Sequence, residues 1–192
     1  DGPDASLNAD AVATAQASPI TLEVDETDDE QTDPVDSEGD RVSKEDFSGL
    51  FATVNATVDG SGDYGTDGAG SLAYALSLVN VSTSASLSDI GSGLYALDDT
   101  DTLDNDGDGI GQGSEITLSI VNGDVVGADG GTTYFTISVD GNGEVTFTQA
   151  ADQNIWHADT SDANDASSLS LSEITAGVDA ALRLTQTVTD AD

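Results

Sequence analysis

The runs 116–121, 132–139 and 144–148 alternate apolar and polar side chains, and the turn signals Asn122-Gly123 and Asp140-Gly141-Asn142-Gly143 stand between them. A side-chain period of two belongs to a strand, whose successive Cβ atoms point to opposite faces; a helix would need apolar residues three and four apart. Asn122-Gly123 separates the runs 116–121 and 124–126. Asparagine and glycine tolerate the two positive-φ positions of a type I′ turn, so this stretch reads as a two-residue β-hairpin. Residues 132–139 put Phe135, Ile137 and Val139 on one face. Asp140-Gly141-Asn142-Gly143 then turns the chain, and 144–148 return with Val145 and Phe147 inward. The pattern predicts an antiparallel meander.

The flanks carry the same signal at lower density. Leu72, Tyr74, Leu76 and Leu78 alternate with small residues, which predicts a strand with one apolar face. Residues 180–189 place Leu182, Leu184 and Val188 on one side and Arg183, Thr185, Thr187 and Thr189 on the other. Residues 93–97 read as a short strand, and Ile20-Thr21-Leu22-Glu23-Val24 as a half-buried one. Around 11–15 an extended stretch is expected. Phe47, Leu50 and Phe51 recur at helical spacing, so 44–51 reads as a short helical turn capped by Ser43, with Asp46 three residues on. Gly, Ser, Thr, Asp, Val and Ala dominate the chain, a balance that favours strands and turns. The expected fold class is all-β, an antiparallel β-sandwich forming one domain over 1–192. An acidic loop at 25–40 is expected to be disordered.

Charge limits the partners. The 192 residues include 38 acidic and three basic side chains, Arg41, Lys44 and Arg183, for a formal net charge of −35. Nucleic acid and anionic membranes would be repelled, and divalent cations are the natural counter-charge. No cysteine is present, so disulfides and thiolate metal sites are excluded. That fits a secreted bacterial protein held by calcium, and also a cytosolic one. No apolar run is long enough to cross a membrane. The opening Asp1-Gly2-Pro3-Asp4 lacks the basic and apolar start of a secretory leader. The chain is therefore expected to be a segment of something larger, or to carry its export signal elsewhere.

One acidic stretch has metal-ligand spacing. Asp104-Asn105-Asp106-Gly107-Asp108-Gly109-Ile110-Gly111-Gln112-Gly113-Ser114-Glu115 fits D-x-[DN]-x-[DN]-G-x₅-E at each fixed position. In such a loop carboxylates at positions 1, 3 and 5 converge on Ca²⁺. Glycine at 6 makes the turn, the carbonyl at 7 faces the ion, and glutamate at 12 closes the shell. Those roles fall to Asp104, Asp106, Asp108, Gly109, Ile110 and Glu115. Neither flank reads as a helix, so the expectation is a calcium loop between strands. The plain alternative is a solvated acidic turn.

Several segments together resemble one tandem repeat of the giant RTX-type adhesins that Gram-negative bacteria export by type I secretion. The opening Asp1-Gly2-Pro3, Leu22-Glu23-Val24-Asp25-Glu26 and Asp46-Phe47-Ser48-Gly49-Leu50-Phe51 carry the resemblance. So do Tyr64-Gly65-Thr66-Asp67-Gly68-Ala69-Gly70-Ser71-Leu72, Asp106-Gly107-Asp108-Gly109-Ile110-Gly111-Gln112-Gly113 and the closing run 182–192, in that order. The resemblance implies an immunoglobulin-like sandwich on the cell surface that binds Ca²⁺ and acts as an extender between neighbouring repeats of the same polypeptide. It also implies ions at the joints, for which Asp1, Asp4, Asp25, Glu26, Asp190 and Asp192 are the candidates. The nonapeptide G-G-x-G-x-D-x-U-x of RTX toxins is absent, so the resemblance implies the extension region of such an adhesin and not its secretion-signal end.

No catalytic constellation is legible. His157 has no cysteine partner and no serine in a nucleophile elbow, so a packing role beside Trp156 is expected. Two other classes of function remain open. One is a ligand-binding adhesin module for sugar or protein, with Trp156 as its anchor. The other is an acidic soluble domain of a halophile.

Overall fold

The computed structural model describes residues 3, 5–18, 21, 22, 24, 41–54, 64, 70–100, 111–157, 167–173 and 179–191. It is predominantly β, with antiparallel pairing throughout and one short helix. Nine strands are described: β1 (Val42–Asp46), β2 (Ser71–Asn80), β3 (Ile90–Asp98), β4 (Gly111–Val121), β5 (Asp124–Asp129), β6 (Thr132–Val139), β7 (Glu144–Gln149), β8 (Ser172–Glu173) and β9 (Ala180–Thr189). Seven of them form one sheet in the order β1-β7-β6-β5-β4-β3-β8, and β2 and β9 pair as a separate ribbon. No helix among the described residues is long and apolar enough to cross a membrane.

The meander lies where alternation places it. β4 to β7 are consecutive neighbours, and Val121 pairs with Asp124 across the tight turn. Asn122 has φ 54° and Gly123 φ 100°, the two positive values that a type I′ turn requires. Phe135, Ile116 and Val125 are fully buried, and the Phe135 and Phe147 rings stack at 5.0 Å between centroids. Leu76 and Leu78 of the ribbon enter the same apolar cluster as Ile90, Leu118, Ile137 and Val145 of the large sheet. The ribbon thus covers the inner face of the sheet. Its own inward row is not wholly apolar: Gln186 falls between Leu184 and Val188 and donates from Nε2 to the Tyr74 hydroxyl at 2.8 Å.

Three local expectations are corrected. The stretch expected to be extended around 11–15 lies inside helix α1 (Ala9–Ala17). Five of the nine residues of ADAVATAQA are alanine, the best helix former, and the Asn8 side chain caps the start by accepting from the Ala11 N–H. The helix buries none of its residues, so local propensity and the cap made it, without the apolar stripe that pattern reading looks for. The chain is hooked on just ahead of α1, where Asn8 N–H donates to the Leu50 carbonyl and Ala52 N–H to the Ser6 carbonyl.

The second correction is at 44–51. Lys44, Glu45 and Asp46 belong to β1, which adds to the edge of β7 from Val42↔Thr148 to Asp46↔Glu144. Only Ser48–Leu50 makes a 3₁₀ turn. Its N-cap position is Phe47, which makes no side-chain cap bond, and not Ser43; one residue earlier, Asp46 Oδ1 accepts from the Ser48 N–H at 2.8 Å. The free edge of β7, about a hundred residues further along the chain, decided the outcome. The aromatics still face inward: Phe47 packs on the core and Phe51 meets Tyr74 edge-on at 5.7 Å. The third is at 20–24. Thr21, Leu22 and Val24 lie in no strand, although Leu22 and Val24 pack against the core; Ile20 and Glu23, like the acidic loop 25–40, lie outside the described residues.

Gly127 and Phe135 test how tightly the two faces meet. They are cross-strand partners, and the Phe135 ring lies directly against the position a Gly127 Cβ would occupy. The ring cannot retreat, since it is fully buried and stacked on Phe147. Gly127→Ala is therefore expected to cost about 1–3 kcal/mol through overpacking. Chemical denaturation measures this, and an unchanged midpoint would show that the ring has room.

Candidate functional site

The calcium motif is framed by two paired strands. Asp98 at the end of β3 is the Cα partner of Gly111 at the start of β4, so residues 99–110 form the connection between adjacent antiparallel strands. Asp104, Asp106, Asp108 and Ile110 lie outside the described residues. The motif's last five residues, from Gly111 to Glu115, belong to β4. An EF-hand enters and leaves its loop through helices; here the exit is an extended strand. At about 3.3 Å per residue, Glu115 stands roughly 13 Å along the strand from Gly111.

Glu115 is half-buried and already has a partner. Its Oε1 accepts from the Gly93 N–H at 3.1 Å. The register of β3 against β4 shifts between Gly91 and Tyr95, and Gly93 takes φ 74° within that irregularity. A bulge of this kind leaves a backbone N–H without a ladder partner, and Glu115 supplies the missing acceptor. The carboxylate passes over Gly91, where a Cβ would come within 2.5 Å of Oε1. Ser170 closes the other side, donating its N–H to the Ser92 carbonyl at 2.7 Å. This bond gives Glu115 a role that needs no metal. Gly91-Ser92-Gly93 was the visible signal for it, two glycines astride one residue in a strand.

Three further carboxylates sit at strand ends and turns. Asp140 Oδ1 accepts from the N–H groups of Asn142 and Glu144, at 2.8 and 2.9 Å. Those bonds, the Glu144 one foremost, hold its carboxyl below the usual aspartate range. Asp98 accepts from the Thr100 hydroxyl at 2.7 Å and from its N–H at 2.9 Å, and is lowered in the same way, chiefly by the hydroxyl. Asp46 is lowered by the Ser48 hydroxyl and N–H, against the smaller upward pushes of desolvation and of the like charge on Asp140. Each is an aspartate two residues ahead of a Ser, Thr or Asn, the spacing of a side-chain-capped turn. Hydrogen bonds to the ionised form keep these groups charged.

Cations contribute little. Lys44 and Glu144 make the one ion pair among the described residues, at 3.2 Å and largely exposed. Such a pair is worth at most about 1 kcal/mol. Arg41 donates to the Ala150 carbonyl and Arg183 to the Ser84 hydroxyl. No three acidic or histidine side chains converge among the described residues. Of the joint candidates, Asp190 follows β9 at the end of the ribbon, while Asp1, Asp4, Asp25, Glu26 and Asp192 lie outside the described residues. Trp156 meets Tyr95 edge-on at 6.4 Å, and His157 Nδ1 lies 3.2 Å from the Ser167 hydroxyl.

The Glu115 assignment separates an acceptor from a charge. In chelator, Glu115→Ala is expected to lose about 1–3 kcal/mol, because the Gly93 N–H is left without its bond. Glu115→Gln keeps an acceptor oxygen and is expected to stay close to the parent. Equal losses in the two variants, measured by denaturant unfolding, would contradict the bulge role.

No curated protein and no solved structure matches the chain. One family model does, described as a domain of unknown function (DUF5801), over residues 21–192. Helix α1 precedes that region and all the described strands lie inside it. The chain thus belongs to the DUF5801 family of domains of unknown function.

Proposed function

We propose that this protein is a non-enzymatic structural module stabilised by Ca²⁺. In this reading it is an immunoglobulin-like β-sandwich repeat that extends a giant RTX-type adhesin outside a Gram-negative cell. Its partners are calcium ions and neighbouring repeats of the same polypeptide. The observation that carries the reading is the position of the D-x-D-x-D-G run. It occupies the connection between β3 and β4, closed at its base by Asp98↔Gly111, in a chain with 38 carboxylates and three basic groups.

The donor set suits the ion. Asp104, Asp106, Asp108 and the Ile110 carbonyl offer only oxygen, and Ca²⁺ accepts six to eight oxygens in flexible geometry, where Mg²⁺ demands a tight octahedron. Glu115 Oε1 accepts from the Gly93 N–H, so Oε2 is the oxygen with which Glu115 would close the shell, and water would fill the remaining positions. Bound calcium removes repulsion in the loop and adds to stability by mass action, about 2.7 kcal/mol at a hundredfold excess over Kd. Low calcium inside the cell would leave the chain looser, which suits export as an unfolded polypeptide. Calcium outside would stiffen it.

A second reading rests on the same charge. An acidic domain of a halophile would use its carboxylates to hold water and salt, with no selective ion. A ligand-binding role would draw on Trp156, which stands half-buried against Tyr95.

The loop assignment is tested by counting ions. Titration calorimetry of the parent is expected to show calcium binding, and Asp104→Asn combined with Asp106→Asn is expected to remove one ion. The same stoichiometry and affinity in the double variant would reduce the loop to a solvated turn.

A further inference from the structure

Two Asn-Gly pairs occur in the chain, and both stand in hairpin turns: Asn122-Gly123 between β4 and β5, and Asn142-Gly143 between β6 and β7. Asparagine before glycine is the pair in which the next backbone nitrogen most readily reaches the side-chain carbonyl, because glycine has no Cβ in the way. The structure gives the two pairs opposite surroundings.

Asn142 is held. Its Nδ2 donates to Asp140 Oδ2 at 3.0 Å and its backbone N–H to Asp140 Oδ1 at 2.8 Å. The Gly143 N–H, the nitrogen that would attack, donates to the Asp140 carbonyl at 3.2 Å. Gly143 is also packed: a Cβ there would lie 3.1 Å from Ser48 Cβ and from the Tyr74 ring. Asn122 has none of this. Both it and Gly123 are exposed, a Cβ on Gly123 would meet nothing within 4 Å, and no hydrogen bond among the described residues holds the Asn122 amide or the Gly123 N–H. The turn must open for attack. It ends in Ile120 and Val121, 40% and 46% exposed, so opening uncovers little apolar surface.

We propose that Asn122 is a site of spontaneous deamidation and that Asp140 protects Asn142 from the same reaction. The Gly123 nitrogen attacks Asn122 Cγ and a new N–Cγ bond forms. The Cγ–Nδ2 bond breaks, the Gly123 amide proton passes to solvent, and the leaving nitrogen takes up a proton to depart as ammonia. Water then opens the cyclic imide at either carbonyl, leaving aspartate or isoaspartate at 122. One water is consumed and one ammonia released, with no oxidant or reductant. The isoaspartate product routes the backbone through the side chain and adds a methylene. The two-residue turn then no longer matches the Val121↔Asp124 pairing, and a new carboxylate stands beside Asp124.

The test is incubation of the purified chain at mildly alkaline pH, followed by peptide mapping with mass spectrometry and enzymatic methylation of isoaspartate. A denatured sample runs in parallel. In the folded chain position 122 is expected to convert severalfold faster than position 142, with ammonia released in proportion. Under denaturation the two should convert at similar rates. Asn122→Gln should abolish the fast product, and Asp140→Ala should raise conversion at 142 while leaving 122 unchanged. Conversion of both positions at one rate in the folded chain, or of neither, overturns the proposal.

Discussion

Electrostatic repulsion is the constraint on which the rest of this structure depends. Thirty-eight carboxylates face three basic side chains, and the described residues hold a single exposed ion pair. A compact state under that load needs acceptor-only groups placed where donors are free. Turn N–H groups are such donors, and Asp46, Asp98 and Asp140 each take them at a strand end. Glu115 does the same for the bulge in β3. The arrangement satisfies backbone groups that the ladders leave over. It does not discharge the protein, since the bonds favour the ionised form.

Cohesion comes from the opposite kind of contact. Phe135, Ile116, Val125 and Ile90 are sealed between the large sheet and the β2–β9 ribbon. Burial of each such side chain contributes about 1.5–3 kcal/mol. The core therefore depends on a ribbon whose two strands carry no carboxylate. Any counter-ion that relaxes the β3–β4 connection acts directly on two strands that line the core.

How much of this was legible depended on the range of the determining contacts. Residues 132–139 and 180–189 were readable to their ends, because alternation alone sets a half-buried strand. The Asn122-Gly123 hairpin was readable because its turn chemistry is local. Helix α1 was missed because nothing in it is amphipathic; alanine and the Asn8 cap made it. β1 was missed because its partner, β7, lies a hundred residues away and outweighs the helical spacing of Phe47, Leu50 and Phe51. The motif from Asp104 to Glu115 fits a loop template letter by letter. The template does not show that the chain is already extended from Gly111 onward or that Glu115 is bonded to Gly93. Side-chain bonds to backbone across strands leave little trace in spacing.

The claim that calcium, and not bulk salt, balances this charge is tested most directly by thermal unfolding at constant ionic strength. Calcium is raised from chelator to millimolar levels, with magnesium and sodium series matched beside it. The account predicts that the melting temperature rises with calcium, saturates, and falls back on chelation, while the matched magnesium and sodium series give a much smaller rise. Three superimposable series, set by ionic strength alone, would contradict it.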